Sequence, residues 1–178
     1  MNVENTKSLV DLFFNKLKEI DSSRIFLQWL KPNYNHQYSW NEVSEKIHKL
    51  SNQIKQKIKE GDRCLLLSED RPEWLIADIA IMNAGGICVP VFTTYSDDDY
   101  KYIFEDCKPT IIIVSNEIQF RKIRNNINSE IKLVISYEKI EYKSILVEDI
   151  YSKPLLNKIK NNNLNRESPA CIIYTSGT

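Results

Sequence analysis

Apolar residues recur at two different spacings along this chain, and the change from one to the other divides it into two parts. From Ser8 to Ile20, Leu9, Leu12, Phe13, Leu17 and Ile20 return every three or four positions, the spacing of one helix face. Ile25 to Leu30 predicts a short strand, and Lys31-Pro32-Asn33-Tyr34-Asn35 a turn. Ser39, with Glu42 three residues on, forms a capping box. It opens a helix with Val43, Ile47, Leu50, Ile54 and Ile58 on its inner side. Lys55, Lys57 and Lys59 follow near its end, where cations complement the helix dipole, and Gly61-Asp62 stops it. His48 falls on the polar side of this helix and reads as a solvated histidine, as does His36.

Beyond residue 63 the spacing gives way to short, continuous apolar runs. Cys64–Leu67, Ile87–Val89 (stopped by Pro90), Ile111–Val114 and Lys132–Ser136 have strand length. Near-unbroken apolarity fits strands covered on both faces. Helical segments separate them. Pro72 sits where a missing amide costs least, ahead of Trp74 to Ala84, a stretch apolar nearly all round and so expected to be buried. Ser96 caps a helix with Asp97, Asp98 and Asp99 in its first turn and Tyr100, Ile103, Phe104 and Cys107 inside, and Lys108-Pro109 breaks it. A further helix is expected near Glu117 to Asn125. This alternation predicts an α/β fold, mainly a parallel sheet flanked by helices. Tyr137 to Leu156 shows no decisive period, and Asn157 to Asn165, with five asparagines, reads as an exposed loop.

Individual side chains sharpen the picture. Trp74 reads as a core aromatic, and Arg63 and Arg71 as surface salt-bridge residues. Asp78, a carboxylate inside the apolar helix, needs a partner, and a hydrogen bond to a neighbouring strand is the expected one. The three consecutive aspartates at 97–99 form a helix-start cluster, since adjacent helix positions do not face one another as metal ligands would. Cys64, Cys88, Cys107 and Cys171 never fall as C-x-x-C and each lies in or beside an apolar run, which predicts buried reduced thiols.

Charge and length then exclude function classes. The 24 Lys plus Arg balance 24 Asp plus Glu, so the cationic excess that nucleic-acid binding uses to release counterions is missing. Trp74 to Ala84 is interrupted by Asp78 and Asn83 and is far shorter than the roughly 20 residues a membrane span needs. Neither a basic-then-apolar leader nor a transmembrane segment is expected, and the chain reads as cytoplasmic, with peripheral membrane contact as an option. Only four glycines are present, Gly61, Gly85, Gly86 and Gly177, which rules out both the G-x-G-x-x-G and the G-x-x-x-x-G-K-[ST] loops.

The segment with chemistry is Pro169-Ala170-Cys171-Ile172-Ile173-Tyr174-Thr175-Ser176-Gly177-Thr178, an apolar strand running into hydroxyls and a glycine. Glycine admits close backbone approach, and hydroxyls and amides supply donors to anionic oxygens, as phosphate binding requires. Ordinary strand-ending turns use the same residues. Tyr174 to Thr178 resembles the opening of the phosphate loop of the adenylate-forming (AMP-binding) acyl-CoA synthetase family, Tyr-Thr-Ser-Gly-Thr-Thr-Gly-x-Pro-Lys-Gly. Upstream stretches agree in order: Gly61-Asp62-Arg63, Arg71-Pro72-Glu73-Trp74, Ala84 to Pro90, then Tyr95 and Asp106-Cys107-Lys108-Pro109. Arg-Pro-Glu-Trp and Val-Pro-Val-Phe-Thr-Thr-Tyr look most like the long-chain fatty-acid branch.

The resemblance implies that residues 1–178 form an incomplete N-terminal portion of an AMP-binding domain. It also implies two-step ligation of a fatty acid, first with ATP to an acyl-adenylate and then to coenzyme A, with Mg2+ on the leaving pyrophosphate. Thr175, Ser176, Gly177 and Thr178 would hold ATP phosphates, with Tyr174 the packed end of the strand. No catalytic residue and no metal ligand is assigned within the chain, which by itself is expected to be inactive. Two alternatives stand beside this reading: an adenylating enzyme for another carboxylic acid, and a non-catalytic α/β module that binds a nucleotide or a protein partner.

Overall fold

The computed structural model describes residues 6–31, 34–161 and 163–175. The expected amphipathic helix forms as α1 (Leu9–Glu19), capped by the Ser8 side chain. Its face is turned from the expected one. Val10, Phe13 and Phe14 are buried while Leu9 is exposed, because Phe13 and Phe14 are drawn into aromatic contacts with Phe26, Trp40 and His48. A hairpin follows, β1 (Ile25–Lys31) antiparallel to β2 (Tyr34–Ser39). β2 is polar at almost every position and exposed along most of its length. It forms by pairing with β1, so no run of apolar residues announced it. Ser39 and Glu42 then close the expected capping box on α2 (Trp40–Lys55), where Val43, Ile47, Leu50 and Ile54 are fully buried.

The rest of the chain lays a parallel sheet of five strands in the order β4-β3-β5-β6-β7. The strands are β3 (Arg63–Leu67), β4 (Ile87–Val91), β5 (Ile111–Val114), β6 (Leu133–Ser136) and β7 (Ile145–Leu146). Helix α3 (Pro72–Ala84) leads from β3 to β4, α4 (Asp97–Cys107) from β4 to β5 and α5 (Glu117–Ile123) from β5 to β6, while α6 (Val147–Tyr151) follows β7. Alternate strand residues feed two cores. Cys64, Leu66, Ile111, Ile113 and Ile135 pack with α1, α2, α3 and α6 on one face; Leu65, Leu67, Val89, Ile112 and Val134 pack with α4 and α5 on the other. Strands buried on both sides explain the continuous apolar runs. The inner residues of α4 are the four that its periodicity named.

Pro90 lies inside β4 rather than stopping it. Ile87, Val89 and Val91 turn their amides to β3, whereas Cys88 uses its amide and carbonyl on the other side, toward Ala170 and Ile172. Two residues on, Pro90 turns to that same outer side, where its missing amide costs β3 nothing. Gly85 ends α3 in the left-handed region at φ 95°, and a side chain on Gly86 would press on Cys64, Ile58 and Ile81 at 3.1 Å.

Several single-residue expectations change. His48 is buried, stacked on Phe14 at 4.7 Å, and burial pushes its imidazole pKa down. The cover comes from α1 and from the asparagine-rich segment, which is pinned by Asn52 on the Asn157 carbonyl and by Asn83 on the Ile159 carbonyl and the Asn161 amide. Arg71 is no surface residue: its side chain is 11% exposed. Three cysteines are buried as expected, but Cys171 is exposed. Asp78 meets the expected partner on a strand, the Cys88 thiol, and burial raises its carboxyl pKa against that bond.

Candidate functional site

In a parallel sheet, ligands collect beyond the carboxyl ends of the strands, above all where neighbouring strands send their connections to opposite faces. Here β3 leads to α3 on one face, while both its neighbours, β4 and β5, lead to α4 and α5 on the other. Between β3 and β5 stands Glu69, an exposed carboxylate just past the end of β3. Glu69 accepts from Gln119 Nε2 at 2.8 Å and Asn116 Nδ2 at 3.1 Å. Burial alone would raise its pKa, but the hydrogen bonds its carboxylate accepts prevail and hold it at about 2. A group lowered on folding stabilises the fold above its ordinary value, and this contribution fades as pH falls from about 4.5 toward about 2. Glu69→Gln is therefore expected to make the acid limb of a urea-stability-versus-pH profile shallower across that interval. An unchanged limb would contradict the assignment.

The terminal segment lies at the sheet edge beside β4. Cys171 bridges Cys88 in parallel, and Cys88 in turn pairs with Cys64. Three residues on, the Tyr174 carbonyl is held by Tyr95, in the loop just past the carboxyl end of β4. Thr175, exposed, follows it directly at this end of the sheet. Of the four residues expected to hold phosphates, Thr175 stands in this position; Ser176, Gly177 and Thr178 lie outside the described residues.

The expected strand from Ala170 to Tyr174 is reduced to the single Cys171 bridge, held by Cys88 N–H on the Ala170 carbonyl (3.1 Å) and Ile172 N–H on the Cys88 carbonyl (2.9 Å). Beyond it side chains take over. The Tyr95 hydroxyl donates to the Tyr174 carbonyl at 2.5 Å, and the Tyr174 hydroxyl donates to Asp106 Oδ2 at 2.6 Å. Burial, then the Asp106 bond, raise the Tyr174 phenol pKa, so it stays a neutral donor. Tyr174 is half-buried against α4, packed rather than presented to a ligand. Tyr95 and Asp106 stand out in the sequence only by order and spacing. Their role appears when chain segments 79 and 68 residues apart meet.

Other hollows lie elsewhere. One of about 620 Å³ opens at the amino end of β5 and β6, between Lys101, Lys108 and Asn125–Glu130. An apolar one of about 360 Å³ lies between α1, α3, Phe26 and Trp40, with Asp78 in its wall. Among the described residues no group of three or more His, Cys, Asp or Glu side chains converges as metal ligands do. Nor is any helix there long and apolar enough to cross a membrane.

The family model for AMP-binding enzymes matches residues 20–178, running through the hairpin, both sheet faces and the terminal segment. The chain belongs to the AMP-binding enzyme family. Its relatives include a long-chain-fatty-acid–CoA ligase, ACSBG2, of Gallus gallus, 34% identical over 130 residues. That match takes in 64% of this chain and 16% of the relative. The Xenopus laevis ACSBG2 ligase is 30% identical over 166 residues, 85% of this chain and 21% of the relative. The chain thus spans about a fifth or less of the curated relatives it matches. Solved members of the fold superpose across nearly its whole length. The anthranilate CoA ligase AuaEII gives a TM-score of 0.81 at 20% identity, covering 99% of this chain and 34% of that one. A luciferase-like enzyme of the mealworm Zophobas morio gives 0.82 at 17%, covering 99% and 41%. The family fold is therefore established for these residues, as an α/β, mainly parallel sheet flanked by helices that corresponds to part of an adenylate-forming enzyme.

Proposed function

We propose that the protein containing this chain is a fatty-acid–CoA ligase and that residues 1–178 are the N-terminal portion of its AMP-binding domain. In the first step a carboxylate oxygen attacks the α-phosphorus of ATP, the bond to the bridging oxygen breaks, and pyrophosphate leaves. In the second, the sulfur of coenzyme A attacks the acyl carbon, the bond to AMP breaks, and the thiol proton is lost. Such chemistry depends on positioning and on stabilising charge on the phosphate oxygens. Thr175, with Ser176, Gly177 and Thr178 after it, is assigned to the β- and γ-phosphates. What supports the reading is that Thr175 directly follows Tyr174, whose carbonyl is held by Tyr95 just past the carboxyl end of β4, in a chain that the AMP-binding family matches from residue 20 to 178. Magnesium, where bound, would neutralise charge on the leaving pyrophosphate.

The fatty-acid branch is favoured by the two ligases from chicken and frog, whose identity to this chain exceeds that of the anthranilate ligase. The test is product analysis. Full-length protein incubated with ATP, coenzyme A and carboxylic acids of graded chain length is expected to yield acyl-CoA and AMP with long-chain acids. Turnover confined to aromatic or short acids would overturn the choice of substrate, and formation of no thioester with any acid would overturn the ligase reading.

A further inference from the structure

The backbone that carries Thr175 has little ladder to hold it. Cys88 spends its amide and carbonyl on Ala170 and Ile172. The next outward-facing residue of β4 is Pro90, which has no amide to offer the Ile172 carbonyl. The next bond across this edge comes from a side chain, the Tyr95 hydroxyl on the Tyr174 carbonyl at 2.5 Å. Tyr95 is itself braced. Its ring stands edge-on to Phe92 at 5.3 Å and to Tyr100 at 6.1 Å. Tyr100 donates to the Phe92 carbonyl at 2.8 Å, and Lys122 Nζ donates to the Thr93 carbonyl at 2.5 Å. The loop that presents Tyr95 is thereby tied to both α4 and α5. From the far side, Asp106 takes the Tyr174 hydroxyl.

We propose that Tyr95 is a positioning residue for nucleotide phosphates: where Pro90 leaves the Ile172 carbonyl without a ladder amide, the Tyr95 hydroxyl holds this edge two residues further on, at the Tyr174 carbonyl, and sets where Thr175 leaves the sheet. The proposal rests on the ligase reading above. Tyr95 touches no reacting atom; it acts through the Tyr174 carbonyl. A neutral hydrogen bond of ordinary strength corresponds to a change of about five-fold in an equilibrium constant.

The test uses Tyr95→Phe, which keeps the ring contacts and removes the hydroxyl, in two measurements. In the full-length protein, hydrogen exchange of the peptide covering 170–178 is expected to speed up about five-fold, with β3 and β5 unchanged. In the full-length protein, acid-dependent ATP–pyrophosphate exchange is expected to show KM for ATP raised about five-fold, with KM for the acid unchanged. A merely structural role would lower kcat through a smaller active fraction and leave both KM values alone, and that pattern would overturn the proposal. So would unaltered exchange of the 170–178 peptide. Tyr174→Phe, which severs the Asp106 bond instead, is expected to move both readouts the same way and serves if Tyr95→Phe does not fold. Wild-type protein without acid-dependent exchange would sink the ligase reading itself, while hydrogen exchange would still decide whether Tyr95 holds the segment.

Discussion

Leu66→Ala is expected to cost the fold about 3 to 4 kcal/mol, the range for removing a fully buried leucine from a close-packed core. Leu66 sits in the middle of β3, between Pro90 of β4 and Ile113 of β5, with no exposed surface. It belongs to the core formed with α1, α2 and α3, whose members come from both halves of the chain, so the space left by truncation is walled by elements that cannot close in independently. Urea unfolding of the chain and of the variant measures the difference. The control is Leu30→Ala: Leu30 is 69% exposed at the end of the hairpin, and a surface change of this kind stays within about 0.5 kcal/mol. Equal losses at the two positions would contradict the two-sided burial of β3.

Arg71→Ala is the second large effect, expected at about 3 kcal/mol, the lower end of the range for stranding a buried ionic partner. The guanidinium lies over the Trp29 ring at 4.8 Å and the Tyr137 ring at 4.9 Å. It donates to Glu73 Oε2 at 3.0 Å and Glu138 Oε1 at 3.3 Å. Burial would lower its pKa, but Glu73 and Glu138 outweigh that and raise it. Removing it leaves the Glu73 side chain, 13% exposed, with Tyr38 as a long hydrogen-bond partner at 3.5 Å. The same change strips two cation–π contacts, each of order 0.5 to 1 kcal/mol or more. The Arg71→Ala, Glu73→Gln double variant is expected to recover part of the loss, because the stranded charge is then gone. A double variant as unstable as the sum of the singles would show that the pair does not couple.

These two positions also mark how far the sequence reached. β3 was legible because every residue of Cys64–Leu67 is apolar, and α4 because its cap and its 3.6-residue period lie within one short stretch. Arg71 was not: a charged residue before a proline looks like surface, and its burial depends on Trp29 from the hairpin and Tyr137 from beyond β6. His48 departs from the expected solvated face for the same reason, since its cover comes from α1 and from a segment about 110 residues away. β2 carried no apolar alternation, and β7 is two residues long. At the candidate site the residue types at Thr175–Thr178 and the family resemblance were open to reading. The edge geometry was not, because Pro90 looks like a strand terminator until it is known which way its neighbours' amides point.

Acid-dependent ATP–pyrophosphate exchange by the full-length protein tests the central claim most directly, since it reports adenylate formation without requiring the thioester step. Exchange that appears on adding a long-chain fatty acid, and falls when Gly177 is replaced by a bulky residue, is the predicted result. No exchange with any carboxylic acid, or exchange indifferent to that replacement, would contradict it.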